Sequence, residues 1–255
     1  MSYSHNLKFV FIHIPKCAGT SIEKALQGQC KIENIGKFDQ DFIEKNKLGL
    51  SSRFHLSGKH LAASDLRKLM GEEIFDSYFS FAFVRNPFSR LVSYYHFLKR
   101  HDSLEHEKAQ VRLALHANTF TDFVKAALND ADPASDLLFN QQPYICNEEG
   151  KIIVDKIYKF ENLQHDFADA CRRIGVRPGL ASHIRDLFHV PRITLPRLNR
   201  GDGKTAQYQN YYDSGIRRAV EDRCQQDLVT FNYSFDDYAR TPQPVPVTSS
   251  ADSSY

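Results

Sequence analysis

"FIHIPKCAGTSIEKAL", residues 11–26, decides how this chain is read. An apolar run, "KFVFIHI", ends in Pro-Lys-Cys-Ala-Gly-Thr-Ser, and "SIEKALQG" follows with Ile22, Ala25 and Leu26 on one helical face. An unbroken apolar strand of this kind is buried on both sides in a parallel sheet. The junction therefore sits at the carboxyl end of a strand and the amino end of a helix, where ligands of open α/β sheets bind. Unpaired N–H groups and the positive end of the helix dipole attract an anion there. Gly19 lets the backbone come close, Thr20 and Ser21 offer hydroxyls, and Lys16 adds a mobile charge. Thr20 and Glu23 also have the spacing of a capping box. The plainer reading is a capped turn with a solvated lysine. An ATP-type loop, G-x-x-x-x-G-K-[ST], is absent, because Lys16 precedes Gly19 and no glycine opens the loop.

Working outward, "YFSFAFV" (residues 78–84) reads as a second strand. It ends at Arg85-Asn86-Pro87, and "SRLVSYYHFLKR" reads as a helix starting near Ser89, with Ser89 as its cap. "DKIYKF" is a third strand, followed by the helix "LQHDFADACRRIG"; "DSGIRRAVEDRCQQDLVTF" is a further helix. Residues 104–140 read as largely helical and are expected over the open edge of the sheet. Strands alternating with helices predict a P-loop-like, three-layer α/β/α fold around a central, mostly parallel sheet. Residues 1–240 are expected to form one domain. "TPQPVPVTSSADSSY" (residues 241–255) is rich in Pro and Ser and reads as a disordered tail.

The second informative stretch is "FAFVRNPFSRLVSYY" (residues 81–95). Arg85 at a strand end reaches the same edge as Lys16. Ser93 lies in the following helix, and the two can hold one phosphate, with the guanidinium binding bidentately. The alternative is Arg85 paired with a carboxylate and Ser93 packed mid-helix. Arg90 reads as structural or rim. Two anion sites on one sheet edge suit a nucleoside phosphorylated at both ends.

Composition bounds the function. The chain has 255 residues and a formal net charge of +2, too little for a protein built mainly to hold nucleic acid. Five cysteines, without a C-x-x-C, predict neither a disulfide framework nor a structural zinc site. No apolar run is long enough to span a membrane, and the first apolar stretch leads into the lysine loop rather than a cleavage site. The expected location is cytoplasmic.

"HIPKCAGTS" followed by "FAFVRNPFSRLVSYY" resembles the nucleotide-dependent sulfotransferases, most closely their carbohydrate-acting branch, the heparan- and chondroitin-modifying kind. "SGKHLAASDLRKLMG", "QPYICNEEGKIIVDKIYKFENLQHDFADACRRIGV" and "LPRLNRGD" with the segment after it extend the likeness over most of residues 8–238. The resemblance implies that Pro15, Lys16, Cys17, Ala18, Gly19, Thr20 and Ser21 hold the 5′-phosphosulfate of 3′-phosphoadenosine-5′-phosphosulfate (PAPS). It implies that Arg85 and Ser93 hold the 3′-phosphate. Lys16 is the candidate for neutralising the leaving oxygen, and no metal is required. Of eleven histidines, His60 is singled out by the resemblance as the base for an acceptor hydroxyl. His55 and a glutamate from elsewhere are the alternatives, and His13 reads as structural. "LNRGDGK" departs from the family at the residue after its asparagine, which leaves the roles of Arg200 and Lys204 open. The acceptor is expected to be a sugar or glycan, with a small-metabolite or lipid alcohol as the alternative. A nucleotide-dependent kinase and a non-catalytic nucleotide-binding protein are the competing readings. Tyr94, Tyr95 and Phe97 either line an acceptor cleft or pack in the core, with packing the expected role for most of them.

Overall fold

The computed structural model describes residues 2–34, 40–48, 60–100, 109–176 and 204–237. His55, Arg200 and the tail from residue 241 lie outside them, as does the side chain of Lys204. Among the described residues, five strands form one sheet in the order β3-β1-β2-β4-β5. These are β1 (Ser2–Ser4), β2 (Phe9–Ile12), β3 (Glu33–Asn34), β4 (Phe79–Val84) and β5 (Lys156–Lys159). The β2, β4 and β5 strands are parallel, with Phe9 opposite Phe79 and Phe81 opposite Lys156. The β1 strand runs antiparallel to both β2 and β3. The fold is thus α/β with helices flanking a parallel core. The antiparallel edge is the feature that strand–helix alternation did not predict.

Every residue of β2 is buried, as its unbroken apolar run requires, and Phe9, Phe11, Phe81 and Phe83 pack at the sheet centre. Helix α1 (Gly19–Gln27) lays Ile22 and Leu26 on this core. The short helices α2 (Gln40–Lys45), α3 (Ala63–Met70) and α4 (Glu72–Asp76) follow, and Leu66 and Phe75 join the same core. Helix α5 (Pro87–Arg100) leaves β4. Helices α6 (Ala109–His116), α7 (Phe120–Asn129) and α8 (Pro133–Phe139) confirm the helical reading of that region. They pack mainly on α5 and build a second core with Phe88, Tyr95, Phe123 and Tyr208, rather than simply covering a sheet edge. Helix α9 (Leu163–Arg173) returns to the sheet and buries Phe167. The long terminal helix expected from the sequence is two, α10 (Ser214–Arg223) and α11 (Gln225–Thr230), broken at Cys224.

Two local expectations are corrected. Helix α5 begins at Pro87, two residues before Ser89. Its first free N–H groups are met by Asn86, whose Oδ1 accepts from Phe88 N at 3.1 Å, while Pro87 has no N–H to satisfy. The Thr20–Glu23 capping box does not form either. Ala18 is the residue before α1, in the left-handed conformation (φ 66°), and no side chain caps the helix. Thr20 is exposed, and Glu23 is instead drawn inward to His13 and Ser2. All five cysteines are free.

Candidate active site

The register places both cation-bearing turns at one edge. Ile12 is opposite Ala82, so the loop after β2 and the turn after β4 emerge side by side. The lysine loop is tightly folded: Lys16 and Ala18 both have φ 66°, a left-handed conformation that costs a residue with a side chain about 1–2 kcal/mol. Strain of this kind persists only where surroundings over-determine it. Here Arg90, fully buried, donates from Nε to Pro15 O at 3.1 Å. Its two terminal nitrogens donate to the carbonyls of Leu137 (2.9 Å) and Leu138 (3.1 Å) at the end of α8. Arg90 is therefore structural: it ties the loop to the second core. The Cys17 thiol points inward to Gln141 Oε1 at 3.3 Å, and burial pushes it up to about 12.

Gln141 is a residue the sequence reading passed over. Fully buried, it accepts from Arg85 N (2.9 Å) and donates to Arg85 O (2.8 Å). It also donates to Asp227 Oδ2 through its backbone N (2.7 Å) and Nε2 (3.0 Å). Burial raises Asp227 above the usual carboxylate range, against the pull of the Gln141 bond. Asn86 N donates to Glu161 Oε1 at 2.9 Å, and Tyr233 O–H to Glu161 Oε2 at 2.6 Å. Four distant segments thus fix the backbone of the arginine turn. No motif announces them, since a buried glutamine or aspartate has no periodic signature.

The Arg85 side chain is 6% exposed. Its Nε and Nη2 donate to Ser89 Oγ at 3.0 and 2.7 Å, its Nη1 to Lys16 O at 3.3 Å, and its guanidinium lies 4.2 Å from the centre of the Phe160 ring. The two motifs are therefore contiguous, with the guanidinium bonded to the lysine loop itself. Ser89, expected as a cap, is the first hydroxyl on Arg85; Ser93 is half-buried and lies one turn further along the same face of α5. Phe97 lies a turn beyond, and Lys16 Nζ sits over its ring at 4.0 Å. Burial first, then the positive charges of Arg85 and Arg100, holds Lys16 at about 8. Of the aromatic residues weighed above, Tyr94 and Tyr95 pack in the core and Phe97 is half-buried beside the lysine.

His60 stands at the start of this loop. Its Nδ1 is 3.0 Å from His13 O, and the two rings meet edge to face at 4.6 Å between centres. A carbonyl only accepts, so Nδ1 carries the proton and Nε2 is left with a free lone pair. Burial, then the neighbouring His13, holds the His60 imidazole well below the usual histidine range. The ring is neutral at pH 7. Among the described residues, no group of three or more His, Cys, Asp or Glu is arranged to hold a metal ion. No helix among them is long and apolar enough to cross a membrane.

The site thus joins two cations whose partners among the described residues are neutral, a helix N-terminus and a neutral imidazole. A curated protein of Archaeoglobus fulgidus, described as uncharacterized, is 32% identical over 111 residues, 44% of this chain and 79% of that protein. No solved structure matches the chain. A profile of the sulfotransferase family matches residues 1–234, nearly the whole length that carries these motifs, and the chain belongs to that family.

Proposed function

We propose that the protein transfers the sulfuryl group of PAPS to an acceptor hydroxyl, with residues 1–240 as one catalytic unit acting in the cytoplasm. The observation that carries this reading is the convergence of Lys16 and Arg85 at one sheet edge, beside the N-terminus of α1 and without a carboxylate partner among the described residues. A buried charge without a direct ion-pair partner is costly, with Glu161 acting on Arg85 only at longer range, and a bound anion reduces that cost. The backbone of the loop from Pro15 through Ser21 holds the 5′-phosphosulfate, and Arg85 with Ser93 holds the 3′-phosphate. Each phosphate then meets one of the two cations at this edge.

The chemistry is an in-line displacement, with positioning and electrostatics supplying most of the rate as in phosphoryl transfer. The acceptor oxygen attacks sulfur and its proton passes to His60 Nε2. The bond between sulfur and the bridging oxygen breaks, and Lys16 meets the negative charge that gathers on that oxygen. The products are a sulfate ester and 3′,5′-bisphosphoadenosine. The reaction needs no metal step. A carbohydrate hydroxyl is the favoured acceptor, on the likeness of the two motifs to the carbohydrate-acting branch; a small-metabolite or lipid alcohol is the alternative. The test is transfer of labelled sulfate from PAPS to a panel of sugars, glycans, lipid alcohols and small alcohols. Labelled ester on a sugar supports the reading, ester confined to lipid or small alcohols moves the acceptor class, and no transfer to any of them contradicts it.

A further inference from the structure

His13 follows β2, where its ring stacks on Phe11 of the core, and it reads from the sequence as structural, yet it also contacts three parts of the site. It is 4% exposed. A Cβ built on Gly19 would lie 2.0 Å from His13 Cδ2 and 2.1 Å from its Nε2, nearer than any real side chain approaches. Gly19 is therefore glycine because the His13 ring occupies the place of its side chain, and not because of a left-handed backbone, which falls on Lys16 and Ala18. On the other side of the ring, Nδ1 faces Glu23 Oε1 at 3.3 Å, one turn into α1. Glu23 is itself buried, accepts from Ser2 Oγ at 2.9 Å, and so fastens α1 to β1. The backbone carbonyl of His13 holds His60 Nδ1. One residue thus touches the first residue of the anion-binding helix, the first turn of that helix and the candidate base.

We propose that His13 is a positioning residue: its ring sets how closely the N-terminus of α1 approaches the ligand, and its ring edge and carbonyl hold His60 with Nε2 directed to the acceptor. This rests on the sulfuryl-transfer reading for its second half only. The geometry places the reacting ends of donor and acceptor under the control of one buried side chain, which makes their separation insensitive to motion of the surface. Neither contact alone would do this, because the loop between them, Ile14 to Ala18, contains two left-handed residues and has no regular ladder of its own.

Two measurements test it. In the first, Gly19→Ala and His13→Ala are made singly and together, and melting temperature is read with and without 3′,5′-bisphosphoadenosine. Gly19→Ala alone is expected to lower the melting temperature and lose the ligand-induced rise. Adding His13→Ala is expected to recover part of both, a coupling that only neighbours show. Additive losses would overturn the seat. In the second, His13→Ala is expected to lower kcat by about 10²-fold, the scale of a misplaced reacting group. His13→Phe, which restores a ring against His60 without a donor, is expected to recover most of kcat, whereas His13→Asn, which keeps a donor towards Glu23 but no ring, is not. Unchanged kcat in His13→Ala, or equal recovery by Phe and Asn, would overturn the positioning of His60. If the wild-type protein neither turned over PAPS nor bound the bisphosphate, the sulfuryl reading would fall, and the coupling of residues 13 and 19 in melting temperature would still decide the seat.

Discussion

Lys16 and Arg85 are both cations at the carboxyl ends of neighbouring strands, but the chain holds them in opposite ways. The arginine turn is clamped: its backbone is held by Gln141 and its neighbour Asn86 by Glu161, and its guanidinium bonds to Ser89 and Lys16 O and stacks on Phe160. The lysine loop is strained at two residues, and the Lys16 ammonium rests on an aromatic face rather than in a hydrogen-bonded seat. A fixed guanidinium suits a group whose charge does not change during the reaction, such as a 3′-phosphate. A mobile, desolvated ammonium suits an oxygen on which charge appears only as a bond breaks. On the proposed reading, the difference is one between a binding cation and a reaction cation.

The largest expected effect tests the proposed base, His60. His60→Ala should reduce turnover by about 10²–10⁴-fold while 3′,5′-bisphosphoadenosine still binds, as measured by steady-state kinetics and titration. Lost nucleotide binding would make His60 part of the seat instead. Next comes the reaction cation: Lys16→Ala should cut kcat by about 10²-fold or more, and near-normal turnover would remove the contrast with Arg85. Arg85→Ala should weaken the 3′,5′-bisphosphate by about tenfold to a hundredfold, the scale of one charged hydrogen-bonding group, and leave a nucleotide without a 3′-phosphate nearly unaffected. Equal losses for both ligands would show that Arg85 does not read the 3′ end.

The fourth prediction uses pH. Lys16 is held at about 8, below its ordinary 10.5, so it is charged at pH 7 and loses its proton as pH passes 8. Binding the anionic nucleotide above that point must take up a proton, so affinity should fall by up to about tenfold per pH unit, and the slope should vanish in Lys16→Ala. The free fold responds with the opposite sign. Between about 8 and 10.5 the unfolded chain binds the extra proton, so the Lys16 contribution to stability rises with pH. The smallest effect is on the loop itself: Ala18→Gly should relieve about 1 kcal/mol of left-handed strain and raise the melting temperature by about 2–4 °C.

The same contrast explains what the sequence makes legible. The lysine loop and arginine turn stand out because each joins an apolar strand to a helix, a pattern of local period and breaker residues. The three parallel strands and helices α1, α5 and α9 follow from that pattern to within two residues at their ends, whereas α6 to α8 are legible only as one helical stretch and α2 to α4 are not. Strand β1 does not, because Ser-Tyr-Ser is short and polar; Ser2 and Ser4 are buried by their neighbours and not by their own hydrophobicity. Gln141, Asp227 and Glu161 act across 56 to 86 positions of chain, so no local spacing marks them. Thr20 and Glu23 show the reverse error: correct spacing for a capping box, overruled by a buried histidine that takes the carboxylate for itself. Gly19 was read as the residue that lets a ligand approach, and the structure adds that its missing side chain makes room for His13.

The most direct test of the central claim, that one doubly phosphorylated nucleotide is gripped at both ends by these two cations, is a thermal-shift comparison of 3′,5′-bisphosphoadenosine with ATP–Mg on the wild-type protein. At about 100 times its dissociation constant the bisphosphate should stabilise the fold by roughly 2.7 kcal/mol, with ATP–Mg giving a much smaller shift. Stabilisation by ATP–Mg alone would contradict the account and place the protein among ATP-binding enzymes.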